Sequence, residues 1–571
     1  MKNPYAILLL ITFALRLATA LPLRQAGYMD ASYTMHVAEN LARGRGLVVD
    51  VLWNYLDNPA GLPHPSNLYW MPLPSFLVAP FYALFGASYR VAQIPFIILS
   101  SFLPLVTFYL SRRIFARDDY AWSAALFTAF SGFYTIYLVS PDNFTPFALT
   151  ASLCLFFISR GLEREGAGDA SANAQQRGRG EGESGRGGAE YFFVAGILAG
   201  LSHLSRADGL LLVIVAPIVL IVHAIRNTQS CPEPSRRDAT RITFHPFGFA
   251  QGKVSRFTFY FLLGYLLLMS PWFARNYLAV GSPYPSTGTK TLWLTNYDEM
   301  FRYADDLTLS RYLAWGVGSI IESKVVAAFR NIFIILFSDL QLFLAPFALI
   351  GLWQLRRRVE MLPFFFYAVL LYLVMTFAFT FPSWRGSLFH SASAFLPFLA
   401  VAVPPGVDAA VHWVARRRRT WEAALAARFF RVGFVVLAVF FSIFLYAQGV
   451  FGALVGGSSD IPLWNQRDAA YPPLARWLDQ NARADDIVMV VDPPTFYNLS
   501  HRRAIIIPTD SLDAVFDAAQ RYGARYLILE FDHPKPLRAL YRREASVPGL
   551  TRVADFRDGM GRPAILFEVA H

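Results

Sequence analysis

The sequence predicts a polytopic α-helical membrane protein. About eleven transmembrane helices are expected over residues 1–454, with a small extracytoplasmic α/β domain over 455–571. Three observations predict this. Hydrophobic residues make up 55% of the chain and charged residues only 16%, where soluble domains carry about a quarter. Apolar runs near the length of a bilayer-spanning helix recur along the chain, and arginine clusters such as "SRRIFAR", "LRRRVEM" and "VARRRRTWEAALAARFFR" separate them. After Phe451 the texture changes to short β-rich runs ("IVMVV", "AIII", "RYLILEF", "AILFEV") alternating with helical ones.

The net charge of +11 does not point to nucleic acid, because the basic clusters sit between apolar runs, where they set orientation. "RRRR" at Arg416–Arg419 is one of these topology signals. Two cysteines, Cys154 and Cys231, form neither a disulfide framework nor a thiolate metal site.

Taken in order, the first span is about 5–23. "ATA" at Ala18–Ala20 also fits signal-peptidase cleavage, but Arg16 and the many later spans favour a retained helix. Residues 24–90 follow as an external loop, with an amphipathic helix at 31–43. The Pro-rich apolar segment 72–86 is expected to lie in the interface, because counting it as a span would invert every later arginine cluster. Further spans are expected at 91–110, 120–139, 144–160, 191–205, 209–225, 257–274, 329–353, 363–381, 389–405 and 430–450. Residues 161–189 and 228–253 are polar, low-complexity inserts expected to be disordered in the cytoplasm. The tail has no Gly-rich nucleotide motif.

The outer ends of the spans collect the notable polar groups. They are Asp30, Asp142 in "VSPDNFTPF", Arg206 and Asp208 in "LSRADGLL", Arg275 to Lys290 in "PWFARNYLAVGSPYPSTGTK", and Arg385 and His390 in "FPSWRGSLFHSASAFLP". A sugar carried on a lipid phosphate would need such a ring. Cations meet the departing phosphate at headgroup depth, and one carboxylate takes the proton of an acceptor hydroxyl.

Each residue also has a plainer reading. Asp30 can cap the helix after it, and Asp142 can start a span. Arg206 and Asp208 can form a local ion pair worth about 0–1 kcal/mol. Arg275 can snorkel to headgroups, and His390 can pack a loop.

"YMDASYTMHVAENLARGRGL", "SPDNFTPFALTASL", "LSRADGLLL", "PWFARNYLAVGSPYPS" and "RGSLFHSASAFLPFL" together resemble the GT-C superfamily of polyprenyl-phosphate-sugar glycosyltransferases. The likeness is to the protein O-mannosyltransferase, aminoarabinose transferase and Rgt-like branch, and it covers most of residues 5–405. The resemblance implies a multi-pass enzyme of the cytoplasmic membrane that passes a sugar, with inversion, from a polyprenyl-phosphate donor to a hydroxyl of a lipid, glycan or protein.

By the same resemblance, Asp30 is the base and Asp142 organises the site. Arg206, Arg275 and Arg385 are assigned to the donor phosphate mainly on charge and side, with Asp208, His390 and Lys290 in support. Some relatives hold a divalent metal, but His36, His64 and His390 show no ligand spacing, so no metal ligand is assigned. A lipid-linked-sugar flippase is the alternative, and it predicts polar groups lining a path through the spans. A non-catalytic scaffold would leave the ring of acids and arginines unexplained.

Overall fold

The computed structural model describes residues 3–175, 188–229, 246–285, 287–418, 420–452, 462–466 and 468–570. Among these, seven helices are long and apolar enough to cross a membrane: Tyr89–Phe115, Phe144–Glu165, Ala207–Arg226, Val254–Val280, Val359–Phe377, Thr380–Ala415 and Ala423–Phe451. Four more are apolar but shorter: Pro4–Ala20, Leu73–Phe85, Ala189–Ser205 and Ala345–Leu355. The chain is a polytopic helical membrane protein with a small C-terminal sheet region. The helix that begins at Phe144 runs on to Gln175, through the first part of the 161–189 insert. The remainder of that insert at 176–187, and 230–245 of the second, lie outside the described residues.

Two expected spans are broken, and the breaks meet. The run 120–139 forms a helix only over Asp118–Ala129, followed by a single turn at Tyr134–Tyr137. The run 329–353 divides into Val317–Ser338 and Ala345–Leu355. Gly132 has φ +58°, and Gln341 and Leu342 have φ +49° and +60°, none of which continues a right-handed helix. Side chains satisfy the backbone groups that the breaks release. Gln341 Nε2 donates to the Phe130 carbonyl at 2.7 Å, Ser442 Oγ donates to the same carbonyl at 2.9 Å, and the Gly132 N–H donates to Ser442 Oγ at 2.8 Å.

One end of the helical body carries an ionic network. Glu163 pairs with Arg113 and Arg160, and Arg431 bridges Asp408 and Asp119. The start of the Phe144 helix, with Asp142 beside it, lies at the opposite end. That end supports the sheet. Strands β1 (Val48–Val49) and β3 (His64–Pro65) pair with each other, and the larger sheet has the order β2 (Val51–Leu52), β5 (Ala504–Ile506), β4 (Ile487–Val490), β6 (Ala524–Leu529), β8 (Pro563–Val569), β7 (Leu550–Arg557).

Alternation along the strands builds two layers. Val488, Val490, Tyr526 and Ile528 pack under Leu474 and Phe496, while Met489, Leu527 and Leu529 pack under Val515 and Ala518. β2 comes from the first loop and pairs in parallel with β5, and Tyr55 Oη donates to the Ile506 carbonyl. The tail therefore shares its sheet with residues far earlier in the chain.

Helices in lipid gain little from burying apolar surface against one another, so close backbone approach matters more. Ala345–Leu355 meets Leu396–Ala415 through Gly351 and Gly406. A Cβ on Gly406 would lie 1.8 Å from the Phe347 carbonyl oxygen, whereas one on Gly433 would meet nothing within 4 Å. Gly406→Ala should therefore cost about 1–3 kcal/mol. Its apparent melting temperature in detergent should fall by several degrees, with Gly433→Ala close to wild type.

Candidate active site

Asp30 sits in the first turn of the helix Met29–Ala42, where the helix N-terminus favours an acid. Tyr28, the residue before that helix, donates from Oη to Asp142 Oδ2 at 3.1 Å. Asp142 also accepts the Asn143 N–H at 2.6 Å, ahead of the helix that starts at Phe144. His390 comes from the other side of the bundle, stacked on Phe144 with ring centroids 3.8 Å apart. Its Nδ1 lies 2.5 Å from Asn143 Oδ1 and 3.5 Å from Asp142 Oδ2, and its Nε2 lies 3.9 Å from Asp30 Oδ2. With Nδ1–H donating to the amide oxygen, an assignment made from the hydrogen-bond network, the Nε2 lone pair faces Asp30.

Arg206 supplies the nearby positive charge. It ends the helix Ala189–Ser205, and Gly209 allows the tight turn that follows, since a Cβ there would lie 2.5 Å from the His203 nitrogen. Arg206 donates to Asp208 at 2.9 Å, to Asn143 Oδ1 at 3.4 Å and to Ser387 Oγ at 2.8 Å, and Ser391 donates to Asp208. This is a buried network rather than an exposed surface pair, with side-chain exposures of 12% and 9% for Arg206 and Asp208.

Asp30, Arg206, Asp208, Arg385 and His390 line one cavity of about 1690 Å³. Arg385 is exposed on its wall, its guanidinium 4.9 Å over the Tyr297 ring, with no ion pair to a described carboxylate. Arg275 and Lys290 are placed elsewhere. Arg275 donates to the Leu47 carbonyl and Asn276, and lies over Trp272. Lys290 donates to the Leu56 carbonyl and pairs with Asp305. Arg275 ties the first loop to the end of the helix Pro246–Val280, Lys290 ties it to the loop that follows, and neither lines the cavity. Their position at the same end of the bundle is legible in sequence, but their side-chain direction is not.

Of the other histidines in the first loop, His36 lies flat on Tyr497, with centroids 3.8 Å apart and Nε2 3.2 Å from Asp50. His64 bonds the Val51 carbonyl. Tyr28, Asn143, Ser387 and Ser391 were not singled out by sequence, although all lie inside the motif stretches. Their partners are distant in the chain, so no local pattern marks them.

The electrostatics follow from confinement. The Asp30 side chain is 29% exposed to the cavity. Burial, then the neighbouring Asp142 charge, nevertheless push its carboxyl up to about 8, against the pull of Arg206. Burial raises Asp142 to about 6, opposed by the Asn143 N–H, Arg206 and Tyr28. Asp30, Asp142 and His390 each offer a ligand atom, all within 4.8 Å of one another. Two carboxylate oxygens and an imidazole nitrogen are a donor set that suits a divalent cation. Positions 30, 142 and 390 are too scattered for ligand spacing to reveal it.

Residues 63–169 match the model of a family described as dolichyl-phosphate-mannose-protein mannosyltransferase. No curated protein matches the chain. Among solved structures, ArnT from Cupriavidus metallidurans bound to undecaprenyl phosphate is similar at 12% identity and a TM-score of 0.57, over 100% of this chain and 98% of that one. The archaeal oligosaccharyltransferase AglB from Archaeoglobus fulgidus, in complex with an inhibitory peptide and a dolichol-phosphate, is similar at 12% identity and a TM-score of 0.53. That match covers 99% of this chain and 74% of AglB. At such identities the likeness is one of fold.

A carboxyl raised in the folded state is protonated there while its unfolded counterpart has already ionised. The folded state then binds more protons, and stability falls as pH rises between the unfolded and folded values. The apparent melting temperature of the protein should therefore decline from pH 5 to pH 8. Asp30→Asn should flatten that decline, and an equal slope in the variant would show that Asp30 titrates normally.

Proposed function

We propose that this chain, whose architecture is that of the GT-C glycosyltransferases, transfers a sugar from a polyprenyl-phosphate donor to an acceptor hydroxyl. In this reading the tail and the cavity lie on the extracytoplasmic face of the cytoplasmic membrane. The arginine clusters at the far end of the bundle support that orientation. One observation carries the reading. A carboxylate open to a large cavity is held at the end of a membrane bundle, with a second acid, an imidazole and an arginine converging on it.

Asp30 is the base. A carboxyl with proton affinity near the working pH is suited to accept a hydroxyl proton as the oxygen attacks. Attack on the anomeric carbon from the face opposite the phosphate inverts the configuration, through a transition state of oxocarbenium character. Asp142 keeps the Asp30 carboxyl high by like charge and fixes Tyr28. Asn143 orients His390, and the proton that Asp30 accepts leaves to solvent through the open cavity.

Arg385, exposed on the cavity wall, and the cavity-facing part of Arg206 meet the lipid phosphate. Arg275 and Lys290 act instead by holding the first loop against the helix that ends at Val280 and the loop after it. A divalent cation, when bound by Asp30, Asp142 and His390, would supply further charge neutralisation at the site.

Proteoliposomes containing the full chain and labelled polyprenyl-phosphate sugar test this. Transfer to added acceptor is expected, with kcat/KM rising as pH passes from 6 to 8. Asp30→Asn should lower it by about 10²–10⁴-fold. Arg385→Ala should raise the donor KM about tenfold, as for one lost charge-assisted hydrogen bond. Movement of intact donor across the bilayer without transfer would instead make the chain a flippase.

A further inference from the structure

The two broken spans bring a second set of polar groups together, beneath the site. Tyr134, in the single turn after the first break, is fully buried. Its Oη donates to the Phe389 carbonyl at 2.9 Å and lies 3.4 Å from both Asp339 Oδ2 and Ser338 Oγ. Ser338 Oγ is 3.0 Å from the same Asp339 oxygen. Asp339 stands at the second break, directly after the helix Val317–Ser338, and is buried. Among the described residues its side chain meets these two hydroxyls and no arginine, lysine or histidine. An acid so placed in a membrane bundle calls for a role.

That role is visible in what Phe389 carries. His390 follows it directly, and the segment around them has no regular pitch. A wide turn over Ser383–Ser387, with Gly386 at φ +152°, leads into the short helix Leu388–Ala392 and a tight turn at Ser393–Phe395. Such a stretch is not fixed by a long hydrogen-bond ladder of its own, so its neighbours set its position. Phe133 stacks on the Phe389 ring with centroids 4.7 Å apart. Tyr134 holds the Phe389 carbonyl and also packs edge-on against Phe144, the ring on which His390 lies. The residues of both breaks therefore form a floor under the imidazole.

We infer that Tyr134 and Asp339 are positioning residues: through the Phe389 carbonyl they fix the turn that sets His390 Nε2 against Asp30. Neither lines the cavity, so both act through His390. Displacement of a group beside the base by a fraction of an ångström is enough to slow a reaction. The inference rests on the reading of Asp30 as the base and extends it into the bundle. Positioning asks of residue 339 a hydrogen-bonding group of carboxyl shape and no charge. A proton or ion path through the spans would require the titratable group itself.

The test uses the full chain in lipid nanodiscs with labelled polyprenyl-phosphate mannose, glucose or pentose, whichever it turns over. Steady-state kinetics are read beside the ring ¹⁵N signals of His390, assigned with His390→Gln. Tyr134→Phe and Asp339→Leu should each lower kcat about tenfold, the effect of one lost hydrogen bond. Donor KM should stay within about twofold of wild type, and the His390 signals should shift in both variants. Asp339→Asn, which keeps the shape and can donate to Tyr134 Oη, should restore kcat and the signals together.

His390 signals left at their wild-type positions in both Tyr134→Phe and Asp339→Leu would overturn the inference. So would Asp339→Asn as impaired as Asp339→Leu, because the ionisable group would then be what the protein needs. The ring signals do not depend on turnover, which separates this inference from the reading beneath it. Wild-type transfer by Asp30→Asn would remove the base, while shifted His390 signals in Tyr134→Phe would still show that the floor positions the imidazole.

Discussion

Two carboxylates and an imidazole share one small desolvated space at the end of the bundle, and that confinement governs the site. Like charges so close cannot both ionise without compensation. Arg206 supplies part of it, and protonation of Asp30 supplies the rest. The high proton affinity of Asp30, the proposed base, is therefore a consequence first of burial and then of the Asp142 charge beside it. The same feature should reduce stability above neutral pH, a cost commonly found at functional sites.

Such an arrangement must be held from more than one side. Ser32, one half-turn beyond Asp30, meets Thr495 Oγ1 at 2.7 Å, and Asn498 donates to the Ser32 carbonyl at 2.8 Å. Further along the same helix, Asn40 and His36 contact Asp50, which Arg45 holds through two nitrogens at 2.7 and 2.8 Å. The glycines of "ARGRGL" make that turn possible, with Gly44 at φ +72° and Gly46 at φ +80°. The helix bearing Asp30 is thus clamped between the membrane bundle and the tail. The tail in turn borrows β2 from the loop that follows this helix, so bundle, loop and sheet position Asp30 together.

Much of this was legible in sequence where the signal is local. The helix expected at 31–43 is present over Met29–Ala42, and the apolar runs at 91–110, 209–225, 257–274 and 430–450 all lie inside long apolar helices. Asp30, Asp142, Arg206 and His390 lie at one end of the bundle and are gathered there. What escaped depends on long-range partners. Hydropathy could not show that Gly132 and Gln341 interrupt two runs, because each break is stabilised by the other and by Ser442. Charge and side could not separate Arg385, which faces the cavity, from Arg275, which turns to Leu47. The strand Val51–Leu52 is too short to announce itself, and its place in the tail sheet is set by β5.

The most direct measurement is the titration of the Asp30 carboxyl itself, read as the difference in carboxylic C=O infrared absorption between wild type and Asp30→Asn in lipid nanodiscs. A protonated carboxyl assigned to residue 30 should persist at neutral pH and disappear with a midpoint near 8. Asp142→Asn should move that midpoint downward. A residue-30 carboxyl that ionises near the ordinary aspartate value of about 4, unaffected by Asp142, would contradict the confinement from which its role as base is drawn.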